Sequence, residues 1–112
     1  MNKGISGQVF LDDMLAGYDA CRQRSAEDGK APESFCGICG VAQAMNRELG
    51  TGEFWVGFMY AGTGKLLYIP DKNTERLVVW FDELIVKTRE EFESGLEEHF
   101  QFPVKVTFRN VK

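Results

Sequence analysis

The segment SFCGICG, residues 34–40, holds the side chains with the most chemical potential in this sequence. Cys36 and Cys39 stand three residues apart among glycines. A C-x2-C pair followed by glycine is typical of half of a zinc site, where thiolates bind the metal. A structural zinc needs four ligands, and Cys21 and His99 are the residues that could complete the set. We therefore keep a four-ligand zinc site as one hypothesis.

The same two cysteines could also act without a metal. In thioredoxin-like proteins C-x-x-C opens a helix after a strand, and the helix dipole lowers the pKa of the first thiol. Here a polar loop precedes the motif, so the catalytic context of those proteins is missing. A reversible disulfide between Cys36 and Cys39 stays open as a redox sensor.

The stretch CGICGVA, residues 36–42, resembles the Cys-Gly-x-Cys-aromatic-Ala stretch of papain-like cysteine proteases. The resemblance implies Cys39 as a nucleophile at a helix start and His99, the only histidine, as its base. Gly40 stands where that family has its aromatic residue, and Glu33 stands where its oxyanion-hole glutamine is expected. A small cysteine hydrolase is therefore a further alternative.

Close packing explains the glycines of this segment without any ligand. Gly37, Gly40 and Ala42 remove side-chain bulk, so another element can approach. Cys21 continues the apolar face of the predicted first helix, where a reduced cysteine behaves as a small hydrophobe. We take packing as the main interpretation of the segment.

The first half of the chain predicts two helices that flank a polar loop over residues 25–34. The first helix is predicted over residues 8–25, because apolar side chains recur there at helical spacing. Gly17 weakens this helix by about 1 kcal/mol relative to alanine. Ser34 is the predicted N-cap of the second helix, and Gly50 is its C-terminal stop.

The second half of the chain reads mostly as strands. EFWVGFMY (53–60) and KLLYI (65–69) predict a hairpin with AGTG as its turn. RLVVWF (76–81) predicts a third strand, which Asp82-Glu83 either bends or divides from LIVK.

A capping box and a clean alternation mark the last two elements. Thr88 and Glu91 predict the start of a third helix, which Pro103 ends. VKVTFR, residues 104–109, predicts a final strand with Val104, Val106 and Phe108 facing inward.

These elements define an α+β protein. We expect two N-terminal helices, a mainly antiparallel sheet of about four strands, and one helix before the last strand. The length predicts one compact domain over residues 1–112, with residues 1–7 flexible.

The acidic composition fits a soluble protein and is compatible with a basic protein partner. With 17 acidic and 13 basic residues the formal charge is −4, which disfavours nucleic acid as a partner. No apolar run approaches the roughly 20 residues of a membrane helix, so we expect no membrane partner. Three cysteines, an odd number, argue against a secreted disulfide framework, so we expect a cytoplasmic protein. We expect no cofactor unless the zinc hypothesis holds.

The sequence contains no complete catalytic constellation, so a binding function is the better prediction. Bacterial immunity proteins and phage-encoded inhibitors of host defences resemble this chain in size and acidity, which suggests a stoichiometric inhibitor or modulator of a macromolecular partner. The predicted contact surface combines sheet aromatics with acids of the third predicted helix: Trp55, Tyr60, Trp80, Glu90, Glu93 and Glu97.

Overall fold

The computed structural model describes residues 4–64 and 66–111. In this part of the chain the elements are β1 (Ile5–Val9), α1 (Leu11–Glu27), α2 (Gly40–Leu49), β2 (Trp55–Val56), β3 (Ala61–Thr63), β4 (Leu66–Pro70), α3 (Lys72–Leu84), α4 (Arg89–His99) and β5 (Val104–Asn110). The strands form one sheet in the order β1-β5-β4-β3-β2, and every neighbouring pair is antiparallel. The predicted α+β class is confirmed, with one helix and one strand more than expected.

The helices cover one face of the sheet. Strand residues alternate between buried and exposed, and the predicted inward residues Val104, Val106 and Phe108 are buried. On β1, a Cβ added to Gly7 would lie 3.0 Å from the Met45 sulfur, so α2 packs closely on this face. The residues that alternate with these along each strand lie on the opposite face of the sheet, which we call the outer face.

The start of the chain differs from the prediction. Residues 5–9 form β1, whereas residues 1–7 were expected to be flexible; Met1–Lys3 lie outside the described residues. β1 pairs along its length with β5, with Ile5 opposite Phe108. The first helix therefore begins at Leu11 rather than at residue 8 and ends at Glu27. The Asp13 carboxylate caps it by accepting a hydrogen bond from the Phe10 N–H at 2.8 Å.

The second helix begins later than predicted. Ser34 does not cap it, because residues 35–38 form a turn in which the Ile38 and Cys39 N–H groups donate to the Phe35 carbonyl. Cys39 is instead the N-cap residue of α2. The predicted stop at Gly50 is confirmed, with a left-handed φ of 67°.

The largest error concerns residues 76–81, predicted as a strand and found inside α3. The Asp71 side chain caps this helix by accepting from the Thr74 N–H at 2.8 Å. The buried apolar residues follow helical spacing and extend past the predicted break at Asp82-Glu83: Leu77, Val78, Phe81 and Leu84. LIVK is accordingly the end of α3 and the start of its loop to α4, not a strand.

The predicted hairpin is a three-stranded meander. AGTG is not the turn, because Ala61–Thr63 form β3, which pairs with both β2 and β4. The turn between β2 and β3 is made by residues 57–60, where the Gly57 N–H donates to the Tyr60 carbonyl at 2.8 Å. The strand character of residues 53–60 is limited to Trp55–Val56.

The capping box of the last helix is confirmed. The Thr88 N–H donates to the Glu91 carboxylate at 3.1 Å, and the Glu91 N–H donates to the Thr88 hydroxyl at 3.2 Å. Across the described ranges, no helix combines the length and the apolarity needed to cross a bilayer.

Candidate functional site

The cysteine segment lies where α1 crosses α2. A Cβ added to Gly17 of α1 would lie 2.3 Å from the Gly40 nitrogen, and one added to Gly40 would lie 2.7 Å from the Met14 Cα. Only glycine allows two helix backbones to approach this closely. A Cβ on Gly37 would meet no atom within 4 Å, so the packing explanation holds for Gly40 and not for Gly37.

The three cysteines occupy different environments. Cys21 and Cys39 are buried, whereas Cys36 is exposed. The Cys21 sulfur accepts a hydrogen bond from the Phe35 N–H at 3.4 Å. Burial raises the pKa of the Cys39 thiol to about 12 and also raises the pKa of Cys21. Both buried thiols are therefore protonated at neutral pH.

The residues of the hydrolase alternative are not arranged as a dyad. The His99 ring stacks on Trp80 of α3, with ring centroids 3.8 Å apart and planes 22° from parallel. Within the described residues no hydrogen bond joins His99 to Cys39. A thiol whose pKa is raised to about 12 is a poor nucleophile, because the thiolate is the reactive form.

The described residues do not form a preassembled zinc site. In residues 4–64 and 66–111, no group of three or more His, Cys, Asp or Glu side chains is placed to hold a metal ion. Binding by Cys21, Cys36, Cys39 and His99 would require two buried, protonated thiols to ionise and rearrange. The zinc hypothesis stays a prediction.

The predicted partner-binding residues lie on separate elements. Trp55 and Tyr60 are exposed at the β2–β3 end of the sheet. Trp80 is half-buried against His99. On α4, Glu90 and Glu97 are exposed and Glu93 is half-buried. This helix packs against α3 and α1.

Exposed apolar side chains concentrate around Trp55 and Tyr60. Six of the eleven large apolar residues found exposed in the described chain belong to the β2–β4 meander: Trp55, Phe58, Met59, Tyr60, Leu66 and Leu67. We call these six the hairpin patch. Of these six, only Trp55 and Tyr60 belong to the contact surface predicted from the sequence, although three consecutive apolar residues at a turn, Phe58–Tyr60, were a usable signal.

A small pocket adjoins the hairpin patch. It offers about 80 Å³ of space and is lined by Phe58 together with Ser34, Cys36, Val56, Gly57, Val78 and Asp82. The Val56 N–H donates to the Cys36 carbonyl at 2.9 Å, so the cysteine segment is hydrogen-bonded to the free edge of β2. Burial, and to a smaller extent Glu83, raise the pKa of Asp82.

Comparison with protein-family models, with curated proteins and with solved structures gave no significant match for this chain.

Proposed function

We propose that this protein is a small acidic binding module that acts by occupying a protein partner, as a stoichiometric inhibitor or modulator. The hairpin patch is the observation that carries the proposal. Large exposed apolar side chains cost solubility unless a partner covers them, and clusters of them mark interaction sites. Tryptophan and tyrosine are also the residues most enriched among those that dominate binding energy.

The acids of α4 are the proposed second part of the contact. Glu90, Glu93 and Glu97 follow one another at intervals of three and four residues, which places them on one side of the helix. Together with the net charge of −4 they favour a partner with a basic surface beside its apolar one. A small acidic inhibitor of the immunity-protein or phage anti-defence type fits this description by analogy of size and charge.

Purification of the tagged protein from its own host, followed by native mass spectrometry under reducing conditions, tests the proposal. We expect a host protein in fixed ratio to the chain. The double variant Trp55→Ala/Tyr60→Ala should weaken the purified complex by about tenfold or more, because exposed aromatic anchors are lost. Leu49→Ala and Val86→Ala remove exposed apolar side chains outside the patch and should leave the affinity unchanged.

Charge reversal tests the α4 part separately. The triple change of Glu90, Glu93 and Glu97 to Lys should weaken binding, and its effect should decrease with added salt. Reversal of three exposed acids elsewhere, Glu27, Glu33 and Glu75, changes the net charge equally and serves as control. Equal effects of the two triple variants would remove α4 from the contact surface.

Replacement of Cys36 and Cys39 by Ser separates this proposal from the thiol and zinc alternatives. If the protein is a binding module, the folded double variant should keep its affinity for the partner. Loss of function in a folded double variant, or a zinc mass on the wild-type chain that the variant lacks, would overturn the proposal in favour of a metal or thiol site.

A further inference from the structure

An apolar row crosses the outer face of the sheet. The strand register places Trp55 opposite Gly62 and Gly62 opposite Leu67. The Val111 N–H donates to the Leu67 carbonyl at 3.1 Å, which brings the end of the chain into the same row. Trp55, Leu67 and Val111 are 37, 39 and 40% exposed. Each of these large side chains therefore presents apolar surface to solvent where no helix covers the sheet.

Trp55 is held in place on this row. A Cβ added to Gly62 would lie 3.0 and 3.1 Å from two atoms of the indole ring, so the ring rests on the glycine backbone. A side chain already fixed in one position loses little conformational entropy when a partner covers it. Trp55 is therefore a preorganised anchor.

The charged side chains that the strands themselves carry on the outer face are basic, and Glu48 of α2 lines a pocket with Lys105 at the β1 edge. None of the five strands contains an acidic residue, and β5 carries Lys105 and Arg109 on the exposed side of its alternation. Within the described residues neither of these two cations forms an ion pair, whereas Arg47 and Arg89 are paired with aspartates at 2.8 and 3.0 Å. Arg109 lies next to the apolar row and Lys105 lies further along β5, so in a protein of net charge −4 the strands of this face carry charge of the opposite sign.

We propose that the outer face is a docking surface for an acidic segment of a protein partner that also carries apolar side chains. The inference rests on the proposed function and specifies the chemistry of one of its contacts. The apolar part of the segment covers Trp55, Leu67 and Val111, and its carboxylates pair with Arg109 and Lys105. A basic segment would be repelled here and attracted by α4.

Docking on the face, and not strand addition at β2, follows from the hydrogen bonds. The Val56 N–H already donates to the Cys36 carbonyl, so β2 does not present this donor to an incoming strand. Arg109 lies opposite Ile69, which is two residues along β4 from Leu67. The Leu67 side chain and the Arg109 guanidinium are therefore within reach of one bound segment.

Selection from a displayed library of random 12-residue peptides on the immobilised full chain tests the inference. We expect enriched peptides that combine Asp or Glu with Leu, Phe or Trp. Their affinity, measured by fluorescence polarisation with synthetic peptides, should fall by about tenfold for Leu67→Ala and for Arg109→Glu. Lys30→Glu changes the charge equally in an exposed loop and should have no such effect, and Val86→Ala is the apolar control.

Three results would overturn the inference. The first is a library that yields no enriched peptide. The second is a set of enriched peptides whose affinity does not change in Leu67→Ala or Arg109→Glu. The third is a set of basic peptides that lose affinity when Glu90, Glu93 and Glu97 are changed to Lys. Binding of an oligothymidylate that Arg109→Glu abolishes would equally overturn it, since the face would then serve nucleic acid. None of these results removes a stoichiometric host partner, which is judged by the purification experiment alone.

Discussion

The Cys39 sulfur lies 3.9 Å from the backbone carbonyl oxygen of Cys36, on the inner side of the turn that begins α2. The two thiols are three residues apart, yet one is 2% exposed and the other faces solvent. A motif that suggests a matched pair is therefore built from two dissimilar thiols.

This difference predicts selective alkylation. In the native protein at pH 8, iodoacetamide should modify Cys36 and leave Cys21 and Cys39 unmodified, because the latter two are buried and their pKa values are raised. Intact mass and peptide mapping measure the result, with denatured protein as the control for three accessible thiols. Modification of Cys39 as fast as Cys36 would instead favour a reactive-thiol site.

The buried Cys39 thiol predicts a loss of stability at alkaline pH. The thiol of the unfolded chain ionises near its ordinary pKa of 9.0, whereas the folded pKa is about 12. Below pH 9 both states hold the proton and stability does not change through this group. Between these two pKa values only the unfolded state loses it, so the free energy of unfolding falls by about 1.4 kcal/mol per pH unit.

Urea unfolding of wild type and Cys39→Ala between pH 8 and about 10.5 isolates this contribution. The variant is less stable at pH 8, but its stability should decline less steeply with pH. Parallel curves would show that Cys39 ionises as easily in the folded protein as in the unfolded chain.

The crossing of α1 and α2 predicts that alanine is destabilising at two glycines. Intrinsic helix propensity favours alanine over Gly17 by up to about 1 kcal/mol. The overlap with Gly40 opposes this gain, and overpacking costs about 1–3 kcal/mol. We expect Gly17→Ala and Gly40→Ala to lower the midpoint of denaturant unfolding. Gly37→Ala is the control, since its Cβ meets nothing, and an equal loss there would contradict the crossing geometry.

The capping box of α4 predicts two effects. Thr88→Ala should destabilise the protein by about 1 kcal/mol, because the Glu91 N–H loses its acceptor. The Thr88 backbone N–H, and then its hydroxyl, lower the pKa of Glu91 below the ordinary 4.5. A lowered pKa stabilises the folded state above pH 4.5, and the effect is lost as the pH falls through the folded value.

Glu91→Gln should therefore be less stable than wild type at neutral pH and approach it in acid. Thermal unfolding from pH 7 downward measures the difference. Glu90→Gln, in the same first turn but outside the box, is the control for the loss of one negative charge at neutral pH.

The sequence predicted correctly those elements whose pattern lies within a few consecutive residues. The alternation in β5 and the Thr88–Glu91 box were both read correctly. The strand prediction for residues 76–81 failed because the run is apolar on both faces. Neither the alternation of a strand nor the spacing of a helix is visible within it. The helical spacing appears only when Leu84 is included, beyond two acids that suggested a break.

The site depended on contacts that one sequence does not show. The clash that forbids a side chain at Gly17 involves Gly40, on another helix, and the spacing of neither glycine reveals it. β1 was missed for the same reason, since its pairing partner comes at the far end of the chain. Trp55 and Tyr60 could be chosen from the sequence because they are aromatic residues of a predicted strand, but the contribution of their neighbours on β4 required the strand register.

The pairing of Ile5 with Phe108 also decides when the protein can become native during synthesis. The helical layer can begin to form while the ribosome is still translating, but β1 has no strand to join until β5 has emerged. Until then the buried side of β1, which packs on α2, lacks its neighbouring strand. This edge of the sheet can therefore assemble only after β5 has been translated, and a chaperone that holds β1 in the meantime would delay only this step.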